Sequence, residues 1–402
     1  MKVNPVAVKQ WAIFGYPFSN NLHDDKLVYK KIQYNYDGRN IRQVVLELDE
    51  LFTDIMYKIK DKYSDDTVFG LGLSGGMDSR LVLHYAIKAD MNLELFNFGY
   101  SHPHKLLLSR DHKNSVVIAK HYGVATPKLI EFQNKPDEEN FVKDCREHPF
   151  GSYPPMQFNI KDDDLPRFNV KLSGYDGGEW FGSSIPSNVF ALDNENTINS
   201  IFNFSALRSS LFHNQGGWID GLISKEEYIA IRERLHDFVS GFDNQIETIQ
   251  SFLCGFLIGH RPDERYGECM YHHPLFLKET LSRDSEWLIN RRLHREFFNQ
   301  VHPFLSKIPN QSYHVPFGVR ENAITRLWYF GWYVLRGNAL RYRDVIGSDD
   351  FRSYAKTIFS TPNETFNELF DVRTIMDLPK HECSLIAQCV RIKKELDLLE
   401  GK

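Results

Sequence analysis

The sequence predicts an α/β protein: a parallel sheet covered by helices, followed by a helical lobe. Three observations carry this expectation. Through the first half of the 402 residues, apolar runs ending in glycine turns alternate with amphipathic helical patterns. That alternation is the mark of parallel strands joined by crossover helices. After about residue 195 the strand signals fade and helical periodicity takes over. Finally, two apolar runs end in Ser-Gly turns, Ser74-Gly75 and Ser173-Gly174. Ligands of open α/β sheets sit beyond the carboxyl ends of the strands, so both turns are expected to face one pocket.

Composition bounds the reading. Hydrophobic residues make up 42% of the chain and charged residues 25%, a globular balance. No uncharged apolar run is long enough to span a bilayer, and the start, Met1-Lys-Val-Asn-Pro, lacks a signal-peptide core. The five cysteines (Cys145, Cys254, Cys269, Cys383 and Cys389) form no CxxC pair, which predicts a reducing, cytoplasmic setting. A net charge of −5 disfavours nucleic acid as the main partner. The basic clusters Arg291-Arg292 and Arg391-Lys393-Lys394 read as solvated helix faces, and Asp162-Asp163-Asp164 as a solvated loop. The 30 Phe and 19 Tyr fit either a well-filled core or an aromatic-lined pocket.

In chain order, residues 1–43 form an N-terminal extension in which Trp11-Ala-Ile-Phe-Gly-Tyr-Pro reads as a short strand and turn. An α/β domain is expected over 44–195. It opens on a helix over 41–62, whose apolar face is Val44, Leu46, Leu48, Leu51, Ile55, Met56 and Ile59. The first strand then runs into Ser74, and a helix follows to about 89. The second strand is 93–98, ending at Gly99; a helix over 111–122, a third strand over 127–132 and a fourth over 168–172 complete the domain. A helical lobe over 196–402 carries helices at 223–238, 248–257, 288–301, 323–342 and 384–399.

The stretch Val68-Phe-Gly-Leu-Gly-Leu-Ser-Gly-Gly-Met-Asp-Ser-Arg80 carries the first chemistry. A strand, a glycine turn and a helix start offer unpaired N–H groups and a positive dipole end to phosphate. Ser74 and Ser79 add hydroxyls, and Asp78 is a hard oxygen ligand for the Mg²⁺ that accompanies a nucleotide. The spacing is not that of a Walker loop. It resembles the Ser-Gly-Gly-x-Asp-Ser loop of the ATP pyrophosphatase group, whose members release pyrophosphate and leave an adenylate.

A second signature is Ser173-Gly-Tyr-Asp-Gly-Gly-Glu-Trp-Phe-Gly182. Alone it is a glycine-rich turn after a strand, with carboxylates beside it. Paired with the first loop, it resembles the asparagine synthetase family, in its synthetase domain and in relatives such as β-lactam synthetase and lasso-peptide cyclases. Those proteins follow the first loop with Ser-Gly-x-Gly-x-Asp-Glu-Leu-Phe-Gly. His272-His273-Pro274-Leu275-Phe276 looks like a degenerate Arg-x-Pro-Phe segment, and Arg291 to Arg295 looks like the family's Lys-x-x-Leu-Arg run. The resemblance covers residues 44–330 and is strongest in the two loops.

The resemblance implies an AMP-forming carbon–nitrogen ligase that uses ATP and Mg²⁺ to adenylate a carboxylate and passes the acyl group to an amine or ammonia. It implies that Ser74, Gly75, Gly76, Asp78 and Ser79 hold pyrophosphate and Mg²⁺. Leu73, Phe98, Ser173 and Gly174 would frame adenine and ribose. Tyr175, Glu179 and Arg291 are the implied catalytic residues. Tyr175 stands where β-lactam synthetase has a tyrosine, and its carboxylate partner is not apparent from the sequence. Two departures stand out. The family's second metal-binding aspartate falls at Gly178, with Asp176 and Glu179 as replacement carboxylates, and its catalytic lysine aligns with Arg291. Arginine keeps the charge but is a rigid bidentate fork, and a plain helix-surface role for Arg291 stays open. His102, His104 and the His272-His273 pair lack metal-ligand spacing and read as polar residues of loops and lobe.

The chain carries Lys2 and no glutaminase-sized domain before residue 41, so the amine is expected to be free ammonia, an amine of the substrate, or ammonia from a separate glutaminase. Two other readings remain at this stage: a nucleotide-binding pseudoenzyme or partner subunit, and a pyrophosphatase-type RNA-modifying enzyme, which the acidic balance disfavours.

Overall fold

A computed structural model describes residues 3–19, 21–99, 110–131, 137–150, 165–205, 220–256, 267–309, 316, 323–325, 327–328, 349–379 and 383–401. His102, His104, the acidic run at 162–164 and most of the helix expected over 323–342 lie outside these residues.

The amino-terminal stretch departs from expectation. Helix α1 spans Pro5–Phe14, where a short strand was expected. Its boundary signals are chemical: the Asn4 side chain accepts the Val6 N–H at 2.9 Å, Pro5 occupies the first turn, and Gly15 closes it at φ 82°. Residues 7–14 are all buried, so the helix has no polar stripe and its apolar run mimics a strand.

Helix α2 (Ile41–Lys60) is amphipathic as expected, burying Val44, Leu48, Phe52, Ile55, Met56 and Ile59, but Leu46, expected on the apolar face, is 60% exposed. The α/β unit follows: β1 (Val68–Gly72), α3 (Met77–Lys88), β2 (Asn92–Gly99), α4 (Arg110–Tyr122), β3 (Lys128–Glu131), α5 (Glu138–Glu147), β4 (Val170–Ser173) and α6 (Gly177–Trp180). A two-residue strand, β5 (Glu268–Cys269), pairs with Leu172 and Ser173. It is too short to leave a periodic pattern. All pairings are parallel, in the order β3-β2-β1-β4-β5. Successive strands grow outward from β1 on one side as β2 and β3, and on the other as β4 and β5. The crevice between the ends of β1 and β4 is therefore a topological switch point.

Among the described residues two large apolar clusters fill the interior, beside a small one around Phe96 and Ile130. One lies under the sheet and joins Phe52, Leu71, Leu81, Tyr85, Trp180 and Phe181 to Phe276, Phe297 and Phe298. Segments between 254 and 308, expected in the helical lobe, thus pack with the α/β unit. The other cluster joins Trp11 and Ile13 of α1 to α7 (Asn194–Ser205) and the helices Lys225–Ser240 and Cys383–Leu399. The segment expected as an extension therefore supplies part of the lobe's core.

Two further expectations are corrected. Residues 288–301 are not one helix: a 3₁₀ segment, Ser285–Arg291, breaks at Asn290 (φ 53°) and Arg291 (φ 54°) before the helix Arg292–Val301 begins. Arg391 and Lys393 are not solvated but fully buried. Arg391 donates to Asp144 and Glu395, each at 2.6 Å, and to the His148 carbonyl, while Lys393 pairs with Asp397. Buried cations are tolerable only when paired this completely. Among the described residues no helix is long and apolar enough to cross a membrane.

Candidate active site

The first loop leaves β1 at its carboxyl end. The Leu73 N–H donates to the Phe96 carbonyl of β2 at 2.8 Å, and the Leu73 side chain is fully buried. Its backbone thus continues the β1–β2 pairing while its side chain joins the core. Ser74 and Ser79 close the turn on itself: their hydroxyls lie 2.9 Å apart, the Ser74 N–H donates to Ser79 Oγ, and the Gly76 N–H donates to Ser74 Oγ. Gly76 is the N-cap of α3 and provides no side-chain cap, so the N–H groups of the first turn stay available to an anion.

Two residues that sequence reasoning missed brace the loop from behind. Asp111, in the first turn of α4, accepts the Gly75 N–H through Oδ1 and the Asn97 amide through Oδ2. Arg80, fully buried, donates to the Gly75 carbonyl at 2.6 Å and to the carbonyls of Leu305, Ile308 and Pro309. Arg80 directly follows the motif. Asp111 lies 36 residues from Gly75, and no spacing rule links them.

The second signature meets the first in direct contact. A Cβ on Gly174 would stand 2.9 Å from both the Asp78 carbonyl carbon and the Ser79 nitrogen, so this position must lack a side chain for the two loops to touch. Gly174→Ala is accordingly expected to push the loops apart. The displacement should cost modest stability, on the order of 1–3 kcal/mol, read by chemical denaturation. Gly182, at φ 81°, plays the same part at the far end, where a Cβ would overlap the Leu288 carbonyl. That contact ties the second signature to the segment bearing Arg291.

The carboxylates converge around Asp78. The residue as a whole is only partly buried, yet its Oδ1 is enclosed without a hydrogen-bond partner among the described residues. The Gly178 N–H donates to this carboxylate. Burial, reinforced by the negative charges of Glu179 and Asp176, pushes the Asp78 pKa up to about 8, while the Arg291 cation opposes the rise. A side chain at Gly178 would begin 3.5 Å from Asp78 Oδ2, so an aspartate there would form a carboxylate pair. Here Asp176 and Glu179 flank that position. The Tyr271 hydroxyl is also buried, without a hydrogen-bond partner among the described residues, and within the electrostatic reach of Asp78. Three acidic side chains and an orphaned carboxylate oxygen make an oxygen-only donor set that fits Mg²⁺.

Asp176 sits at φ 62°, a left-handed conformation, and its Oδ2 lies 3.1 Å from His272 Nε2. His272 thus belongs to the site and is not simply a loop residue. With Nε2–H donating to the carboxylate, Nδ1 is left as a proton acceptor. Tyr175 is 44% exposed; its N–H donates to Ser173 Oγ, and its carbonyl accepts from the Cys269 thiol. Phe98 is half-buried, with its ring centroid 5.2 Å from that of Phe96. Arg291 precedes the helix Arg292–Val301 in a left-handed conformation, as does Asn290, and such pairs of strained residues persist where surroundings enforce them. It is half-buried at the junction of the two helical segments.

Ser74, Gly75, Gly76, Asp78, Ser79, Ser173, Gly174, Asp176, Glu179 and Arg291 are therefore gathered at one switch point. No family model matches the sequence, and no curated protein matches it.

Proposed function

We propose that this chain is an ATP pyrophosphatase-type ligase that joins a carboxylate to an amine through an acyl-adenylate, releasing AMP and pyrophosphate. The observation that carries the reading is the seating of Gly174 on the Asp78–Ser79 backbone, which brings both signatures to the β1/β4 crevice. ATP would place its phosphates on the open N-terminus of α3, beside Ser74 and Ser79. The adenine would lie near Phe98 and the backbone of Leu73, framed by Ser173. Asp78, with Asp176 and Glu179, would hold Mg²⁺, which neutralises phosphate charge.

The substrate carboxylate oxygen attacks the α-phosphorus and pyrophosphate leaves. The amine nitrogen then attacks the acyl carbon, loses a proton, and AMP departs with the bonding pair. Arg291 supplies positive charge to the phosphates as it builds. His272, oriented by Asp176, takes the amine proton, and exposed Tyr175 lies next to it in the chain, where it can meet substrate. The acyl donor is a small-molecule or peptide carboxylate. The nitrogen comes from ammonia, a substrate amine, or a separate glutaminase.

A pyrophosphate-exchange screen across carboxylic acids tests this. Exchange should require Mg²⁺ and one class of carboxylate. Formation of ADP alone, or no nucleotide binding, overturns it. ATP binding without AMP for any carboxylate and amine would instead leave a nucleotide-binding partner subunit. His272→Gln is expected to slow amide formation by about 10²- to 10⁴-fold while leaving exchange, which precedes amine attack, near normal.

A further inference from the structure

At the opposite end of α3, three elements bring Asp49, His84 and His302 together. Asp49 comes from α2 and His84 from the last turns of α3, while His302 closes the helix Arg292–Val301. One donor atom of each lies within 4.8 Å of the other two. The imidazole ring centroids are 4.3 Å apart. His302 is buried, and the other two are half-buried.

A second layer orients these groups. The Tyr85 hydroxyl donates to Asp49 Oδ1 at 2.9 Å and lies 3.0 Å from His302 Nε2. The Tyr122 hydroxyl lies 2.9 Å from His84 Nδ1. Phenol and imidazole partners of this kind fix ring orientation in metal centres. Each imidazole presents a ring nitrogen as a donor within reach of the other two groups. The Lys88 ammonium, 3.4 Å from Asp49 Oδ2, is a cation that an incoming ion must displace; its side chain is 42% exposed and can swing outward.

We propose that Asp49, His84 and His302 form a binding site for a borderline divalent cation, with Zn²⁺ as the preferred occupant. Two imidazole nitrogens and one carboxylate suit Zn²⁺ and are a poor set for Mg²⁺, which keeps to oxygen donors. Zinc bonds of about 2.0–2.1 Å require tetrahedral ligands to close to roughly 3.4 Å from one another. The donors must therefore contract by about an ångström, a change within reach of side-chain rotation. The fourth position is left for water.

The position gives the ion a consequence. Asp78 lies in the first turn of α3, and the helix Arg292–Val301 begins beside Arg291. A cation joining His84 to His302 pins the other ends of both helices, and so holds the separation of Asp78 and Arg291.

The test uses the full chain, stripped with chelator and titrated with Zn²⁺ against a chromophoric competitor, without nucleotide. One Zn²⁺ per chain is expected, unaffected by excess Mg²⁺, together with a rise in melting temperature. Co²⁺ should give visible d–d bands of a low-coordinate nitrogen–oxygen site in the wild-type protein, a reading that needs no variant. His84→Gln and His302→Gln should each weaken Zn²⁺ binding by about tenfold or more, whereas His236→Gln, on an exposed helix face, and Asp78→Asn should not. Absence of stoichiometric Zn²⁺, or binding that survives both histidine changes, or binding lost in Asp78→Asn, overturns the proposal.

Discussion

Asp78→Asn is expected to stabilise the metal-free protein at pH 8–9 while abolishing its response to Mg²⁺ and ATP. The reason lies in the cost of keeping that carboxylate charged. Burial first, then Glu179 and Asp176, raise the Asp78 pKa from 3.8 to about 8. An unfolded chain releases the proton near pH 4, whereas the folded protein keeps it until about pH 8. Stability from this group is therefore complete below pH 4, declines as pH rises through that window, and levels off above pH 8. Each pH unit is worth at most about 1.4 kcal/mol, and relaxation of the site reduces the total to roughly 2–4 kcal/mol.

Asparagine removes the charge and can still accept the Gly178 N–H. Chemical denaturation of both proteins in chelator, from pH 4 to pH 9, isolates the effect as a difference. The wild type should lose stability relative to the variant as pH rises, and Mg²⁺ should restore it in the wild type alone. Parallel pH profiles for the two proteins would refute the account. A parallel profile combined with normal ATP binding would also remove Asp78 from the site.

The sequence made the sheet and its two loops readable because each rests on local chemistry. A buried parallel strand is an apolar run, and a phosphate turn needs its glycines within a few residues. Helix α1 escaped because it is buried on every side, although Asn4, Pro5 and Gly15 mark its ends. Arg391 and Lys393 misled in the opposite direction. Their charges suggest solvent, but acids at Asp144, Glu395 and Asp397 permit burial, and the Asp144 partner lies 247 residues away. The His272–Asp176 contact, across 96 residues, and the Asp111 brace had the same character. Pairings of this kind are set by how strands are ordered in the sheet, which residue spacing does not encode. Strand order also explains why residues 268–308 pack beside the loops: β5 extends the sheet from β4 and delivers His272 and Arg291 to the crevice.

Arg80→Met should cost about 3–5 kcal/mol and, in the fraction that stays folded, weaken ATP binding beyond what instability explains. Arg80 donates hydrogen bonds to four main-chain carbonyls, one from the first loop and three from residues 305–309. Methionine fills much of the same volume but donates nothing, so all four carbonyls lose the guanidinium's hydrogen bonds; among the described residues Leu305 keeps only the Ile308 N–H and Pro309 only the Asn114 amide. The buried Asp111 carboxylate loses its nearest compensating cation at the same time. Its grip on the Gly75 N–H then becomes costly to maintain, and the loop is released at both its N–H and its carbonyl. Arg80→Lys keeps the charge without the planar fork and cannot reach four carbonyls together, so it should fall between the two. The comparison is made by denaturant unfolding and by ATP titration at a temperature where each variant is folded. A methionine variant within about 1 kcal/mol of wild type that binds ATP normally would show that the loop holds its shape unaided. The expected order, wild type above lysine above methionine in both measurements, would instead identify Arg80 as the residue that sets the loop's backbone for phosphate.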